Sequence, residues 1–155
     1  MNLINFYKSM YTSFIGKKFL AAWNAREGRA LTARQFFDEV MFPDFFDDER
    51  HLMHVHGSAF FQKVAEKDLA TGKSEPQIRR ENLHKSVATK PPSGSTFVGY
   101  AAEGTTGTTS GQVSGIRVKI EQEDVYASWI GEALAMGVSG GFYMLYDYDS
   151  HTLAD

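Results

Sequence analysis

The chain has 155 residues, of which 43% are hydrophobic and 23% are charged, and its formal net charge is −3 at pH 7. This length and composition predict a single domain over residues 1–155, because ~150 residues is an ordinary domain size, and they exclude intrinsic disorder. The absence of cysteine excludes disulfide scaffolds, thiolate zinc sites and cysteine nucleophiles. No apolar run in the sequence reaches the ~20 residues of a membrane-spanning helix, so we expect a cytoplasmic protein that makes no membrane contact.

The charges are segregated along the chain. The balance is +5 over residues 1–36, −6 over 37–49, +5 over 50–120 and −7 over 121–155. A chain with an acidic overall balance can therefore still present a basic surface. Pairing of these blocks with one another in the fold is the more common outcome.

The first half of the chain predicts helices. Apolar residues recur at helical spacing between Leu3 and Trp23. Thr32 and Gln35 have the spacing of a capping box, which marks the start of a second helix, and Pro43 is expected to end it.

Two further helices are expected before the middle of the chain. Residues 58–70 predict a third helix, and residues 74–90 predict a fourth that is basic in character. Ser74 and Gln77 form a second capping box, and Pro91 forbids continuation of the fourth helix.

The second half predicts strands. Residues 96–102 and 113–121 have the pattern of a β-hairpin, 123–136 that of a helix and 142–146 that of a buried strand. The expected fold is therefore α+β, with a helix-rich N-terminal half of about four helices, then a β-hairpin, a helix and a buried strand. Because the sequence ends soon after this strand, we expect the N-terminal domain of a longer protein.

The first candidate site is a metal centre, since imidazole and carboxylate are ligands for divalent zinc, manganese or iron. Three histidines within six residues are the candidate ligands. Asp47, Asp48 and Glu49 come just before these histidines and supply a general base, and His84 or His151 is a distant fourth ligand. The spacing does not match His-Glu-x-x-His, and histidines bonded to nearby acids in a connector are the more common explanation. The three candidate ligands are His51, His54 and His56.

The second candidate site joins the basic helix 74–90 to the Gly/Thr-rich, flexible loop 103–115. Lysine and arginine contact phosphates, and small residues let backbone N–H groups approach them. A solvated helix face and a long hairpin loop are the alternative. The candidate partner-binding residues are Arg79, Arg80, Lys85, Lys90, Thr105, Thr106, Thr108, Thr109, Arg117 and Lys119.

The leading hypothesis is a non-catalytic binding module, an interaction domain of a larger intracellular protein associated with nucleic acid. The first alternative is a metal-dependent hydrolase with a divalent metal at the three histidines. The second is a structural subunit, with a protein partner or a second copy of the chain. No motif names a family or a catalytic residue.

Overall fold

The computed structural model describes residues 11–46, 64–89, 120–138 and 141–143. These segments form helices and one short β-ribbon. None of the described helices is both long and apolar enough to cross a membrane. In chain order the elements are α1 (Tyr11–Glu27), α2 (Ala33–Phe36), a π-helix (Phe37–Phe46) that continues α2, α3 (Glu66–Leu69), α4 (Glu75–Thr89), α5 (Gln122–Ala133), β1 (Met136–Val138) and β2 (Gly141–Tyr143).

The prediction of an α+β fold is wrong. In the described part of the chain every buried residue of the hydrophobic core lies on a helix. β1 and β2 have three residues each and pair only with each other, antiparallel, with Gly137 opposite Phe142. Residues 142 and 143 of the predicted buried strand 142–146 belong to this isolated ribbon, and residues 144–146 lie outside the described residues. Of the predicted hairpin strands 96–102 and 113–121, only residues 120 and 121 are described, and they are not in a strand.

Aromatic side chains from the helices explain this error. Trp129 and Phe37 are fully buried, with ring centroids 4.9 Å apart, and Tyr126 lies at the same distance from Trp129. Phe36 adds an edge-to-face contact with Trp23 at 5.0 Å. A short apolar run fits a buried strand only where a sheet receives it, and here large rings on helices fill the interior.

Helices α1 and α5 pack against each other with their backbones in contact. A β-carbon added to Gly16 would lie 1.9 Å from the carbonyl oxygen of Ala127. A β-carbon added to Gly131 would lie 2.0 Å from the carbonyl oxygen of Thr12. Both distances are shorter than non-bonded atoms tolerate, so glycine is required at the two positions.

The start of α2 is fixed by two sets of hydrogen bonds. The predicted capping box is confirmed: the Gln35 N–H donates to Thr32 Oγ1 at 3.2 Å, and the Thr32 N–H donates to Gln35 Oε1 at 2.9 Å. From α5, the Glu123 carboxylate accepts the N–H of Ala33 at 2.5 Å. The N-terminus of α2 is thereby tied to the helix that crosses α1.

Pro43 does not end the second helix, contrary to the prediction. The π-helix continues through it to Phe46. In a π-helix each N–H donates to the carbonyl five residues earlier, so Pro43, which has no N–H, leaves the carbonyl of Asp38 without its helical donor. Arg80 Nη1 on α4 donates to this carbonyl at 3.3 Å and takes the place of the missing N–H.

We expect Gly16→Ala and Gly131→Ala each to lower the free energy of unfolding by about 2 kcal/mol or more, because the new methyl group overlaps a backbone carbonyl that cannot move aside. Ordinarily Gly→Ala inside a helix stabilises by up to ~1 kcal/mol, so the sign is diagnostic. Urea denaturation of each variant measures the change.

Ala21→Gly, on the exposed side of α1, is the matched control for helix propensity alone. It should cost about 1 kcal/mol or less. If either Gly16→Ala or Gly131→Ala left the chain as stable as the parent, that result would contradict the backbone contact.

Candidate functional site

A polar cluster lies where the π-helix, α4 and α5 meet. Its centre is His84 on α4, whose Nε2 is 2.7 Å from Oδ1 of Asp38 on the π-helix. The other ring nitrogen, Nδ1, is 2.7 Å from the hydroxyl oxygen of Tyr126 on α5. One imidazole thus connects three helices through side chains that are 42 and 46 residues away in sequence.

The proton positions follow from the partners. A carboxylate only accepts, so Nε2 of His84 carries a hydrogen and donates it to Asp38, while Nδ1 accepts from the Tyr126 hydroxyl. Burial lowers the pKa of His84, against the opposing effect of the Asp38 charge. Burial also raises the pKa of Tyr126 to about 12. At neutral pH the imidazole is therefore neutral and the phenol protonated.

Two arginines flank the same carboxylate. Arg34 Nε lies 4.0 Å from Asp38 Oδ2, and Arg80 Nε lies 4.0 Å from Asp38 Oδ1. The Arg34 side chain is 55% exposed and that of Arg80 33%. The Arg80 guanidinium also lies over the ring of Phe42, 5.2 Å from its centroid. We call this group the Asp38 cluster; its members are Arg34, Asp38, Arg80, His84 and Tyr126.

The outward-facing chemistry of the Asp38 cluster is that of guanidinium. Both nitrogens of His84 are bonded to protein groups, and Tyr126 is only 3% exposed. The cluster holds two guanidinium charges against one carboxylate, so its net charge is +1. Guanidinium N–H groups bind the oxygens of phosphates and carboxylates, so the cluster is suited to holding an oxyanion.

The structure separates the predicted partner-binding residues on α4. Arg80 is a member of the Asp38 cluster, whereas Arg79 donates to Glu75 Oε1 at 2.6 Å and its side chain is 15% exposed. Lys85 is exposed. The remaining candidates lie outside the described residues and stay predictions: Lys90, Thr105, Thr106, Thr108, Thr109, Arg117 and Lys119.

The predicted metal ligands His51, His54 and His56 also lie outside the described residues. Within the ranges that the structure describes, no group of three or more histidine or acidic side chains is arranged to hold a metal ion. His84, considered as a distant fourth ligand, instead uses both ring nitrogens in the Asp38 cluster. Metal binding therefore gains no support from the described part of the chain.

Sequence reasoning missed Arg34, Asp38 and Tyr126 as site residues and considered His84 only as a distant fourth metal ligand. No motif links them, since they come from three separate stretches of helix. The only signal in the sequence is the junction of a basic block with an acidic block at residues 36 and 37, which places Arg34 four residues before Asp38. That spacing puts the two side chains on one helix face.

Comparison with known proteins adds no relative. No protein-family model matches the chain, and neither the curated proteins nor the solved structures include a significant match. The geometry of the described residues is therefore the basis for any functional proposal.

A second titratable group lies outside the Asp38 cluster, near the end of α5. Burial raises the pKa of Glu132 to about 7. Burial and the nearby charge of Glu132 raise the pKa of Tyr11 on α1. Ionisation of Glu132 thus opposes the packing of α5 against α1.

We expect Asp38→Ala to lower the free energy of unfolding by about 1–3 kcal/mol, because it leaves the partly buried Nε2–H of His84 without its acceptor. Arg34→Ala should change stability by less than about 1 kcal/mol, since its contact is exposed and long. Chemical denaturation of the two variants compares them directly. Equal losses would show that the carboxylate does not anchor the imidazole.

The unfolding free energy should also fall as pH rises through about 7, because the pKa of Glu132 in the folded chain is higher than in the unfolded chain. The protonated form favours folding, so its contribution is complete at acidic pH and is lost as the carboxyl ionises. Glu132→Gln should remove this dependence and stabilise the chain in alkaline solution by about 1–3 kcal/mol.

Urea denaturation across the pH range tests the role of Glu132. Glu66→Gln, which neutralises an exposed carboxylate on α3, is the matched control and should retain the dependence of the parent chain. Loss of the same dependence in both variants would contradict the assignment to Glu132.

Proposed function

We propose that this chain is a non-catalytic binding module that holds an anionic partner through the Asp38 cluster. The observation that carries the proposal is the convergence of Arg34 and Arg80 on one carboxylate, each at 4.0 Å. Direct charge-assisted hydrogen bonds are shorter, about 2.7–2.9 Å. Both guanidiniums therefore lie beside Asp38 without a direct hydrogen bond from Nε, and the exposed part of each can donate to the oxygens of a partner.

The supports of Arg80 favour binding with little rearrangement. Its guanidinium is held between the carbonyl of Asp38, at 3.3 Å, and the ring of Phe42. Asp38 is in turn held by His84. Groups fixed on helices lose less conformational entropy on binding than groups on loops, so this arrangement favours affinity.

The neighbouring charges next to the Asp38 cluster are engaged with other groups. Arg29 and Glu39 form an ion pair at 2.5 Å near the start of the π-helix. The Glu123 carboxylate accepts the N–H of Ala33. The two guanidiniums of the Asp38 cluster are therefore the cations offered to an anionic partner here, although the whole chain is acidic.

The chemical class of the partner is one that presents phosphate or carboxylate oxygens. The association with nucleic acid expected from the sequence depends largely on Lys90, Arg117, Lys119 and the loop 103–115, which lie outside the described residues, and it stays a prediction. The hydrolase and structural-subunit alternatives stay predictions for the same reason, since no described residue tests them.

We expect the full chain to bind a polyanion at low salt and to release it steeply as salt rises. Arg34→Gln should weaken binding about tenfold, because it removes an exposed guanidinium of the Asp38 cluster. Fluorescence anisotropy with a labelled single-stranded oligonucleotide, and in parallel with a labelled polyglutamate, measures both effects. The two probes distinguish phosphate from carboxylate recognition.

Arg26→Gln is the matched control, since it removes the same charge from an exposed position on α1 outside the Asp38 cluster. It should weaken binding by no more than about twofold. Equal weakening by the two variants, or no binding to either probe at low salt, would overturn the proposal.

A further inference from the structure

We infer that the oxyanion at the Asp38 cluster binds together with a proton on His84, so that the site holds its ligand more tightly as pH falls. This inference rests on the proposed function and adds a dependence of ligand binding at that site on pH. The geometry of the His84 hydrogen bonds carries the argument.

The Asp38 carboxylate interacts with two guanidinium cations at once. Asp38 lies between the guanidiniums of Arg34 and Arg80 and also accepts from Nε2 of His84 at 2.7 Å. Burial lowers the pKa of His84 most, the Asp38 carboxylate raises it, and the positive charges of Arg34 and Arg80 lower it further. The imidazole of His84 is therefore neutral at pH 7 while no anion offsets the two arginines.

An oxyanion bound to the two arginines weakens the repulsion between their charges and a proton on the His84 ring. Its negative charge offsets the guanidinium charges that repel a proton on the ring. The Asp38 carboxylate then serves as counter-ion to His84 instead, and the Nε2–H bond becomes charge-assisted. Bound ligand and bound proton thus favour each other, and this coupling is reciprocal by thermodynamic necessity.

The place of the proton is fixed. Nδ1 is the ring nitrogen without a hydrogen, and it accepts from the Tyr126 hydroxyl at 2.7 Å. On protonation Nδ1 becomes the donor and the phenol oxygen becomes the acceptor, so the hydroxyl hydrogen of Tyr126 turns away from the ring. Protonation of His84 therefore requires this rearrangement of the Tyr126 hydroxyl, while burial is the largest cause of the lowered pKa of His84.

Each packed element contributes charge to this balance. The segment formed by α2 and the π-helix places Arg34 and Asp38 at the ring, and α4 itself contributes Arg80. Helix α5 contributes Tyr126 and, beyond it, Glu123, whose charge acts on the phenol. Of the three full charges acting on the ring, the two guanidiniums are the ones that an incoming anion neutralises.

The test is isothermal titration calorimetry of the full chain with a single-stranded phosphodiester oligonucleotide, whose charge is constant across the pH range used. Titrations in two buffers of different ionisation enthalpy give the number of protons taken up on binding. We expect more proton uptake near about pH 6 than near about pH 8, with affinity about fivefold higher at the lower pH.

His84→Gln should abolish both the proton uptake and the pH dependence of affinity. Glu132→Gln removes a group outside the Asp38 cluster whose pKa burial raises to about 7, and it is the control that should keep both. Inorganic sulfate as a competitor should displace the oligonucleotide more effectively at low pH if the site recognises a single oxyanion rather than the length of the strand.

If His84→Gln fails to fold, NMR of the parent chain gives the same answer. The ring of His84 is identified by its nuclear Overhauser effect to Tyr126, whose ring centroid lies 5.6 Å away. Its pKa should rise when the oligonucleotide is added. Absence of binding at every pH would refute the proposed function, whereas binding with no proton uptake and no shift of this resonance would refute this inference alone.

Discussion

The contact on which the rest of the described structure depends is the crossing of α1 and α5. At Gly16 and Gly131 the backbone of one helix lies against the carbonyls of the other, so neither helix can rotate or slide without a clash. This fixed crossing sets the direction in which α5 presents its other side chains. Trp129 enters the core, and Glu123 reaches the N-terminus of α2. The same helix delivers the Tyr126 hydroxyl to His84, so the geometry of the Asp38 cluster follows from a contact between two glycines and two carbonyls.

A second constraint acts on the segment that carries Asp38. The π-helix turns more widely than an α-helix, and its proline removes a donor that Arg80 replaces from α4. The resulting link between α4 and the π-helix is polar, and it lies beside the apolar packing of Phe37, Phe42 and Leu83. Apolar burial supplies most of the free energy that holds the helices together, while the polar bonds select one relative position. Conformational specificity at this junction therefore has a different origin from stability.

Local features of this sequence were predictable, and long-range ones were not. Thr32 and Gln35 revealed the start of a helix because a capping box is complete within four residues. The glycine contacts were not predictable, since Gly16 and Gly131 lie more than a hundred residues apart and each looks like an ordinary helix-weakening residue. The prediction that Pro43 ends the helix was wrong because Arg80, on another helix, donates to the carbonyl that the proline leaves without a donor. The apolar run near residue 142 predicted a strand for a sheet that the described helical core does not contain. Of the Asp38 cluster, Arg80 was named as a binding residue and His84 only as a distant metal ligand, because a charge on a helix is visible in sequence while its convergence with Arg34 is not.

The replacement of a backbone donor by Arg80 has a consequence for variation at two positions. Any residue other than proline at position 43 has an N–H that can donate to the Asp38 carbonyl within the helix. The Arg80 guanidinium is then no longer needed as the donor to this carbonyl. A chain with proline at 43 needs a long donor side chain at 80, whereas a chain without it tolerates a shorter one. Substitution of residue 43 alone is therefore a way to alter the reach of an arginine on another helix without touching it.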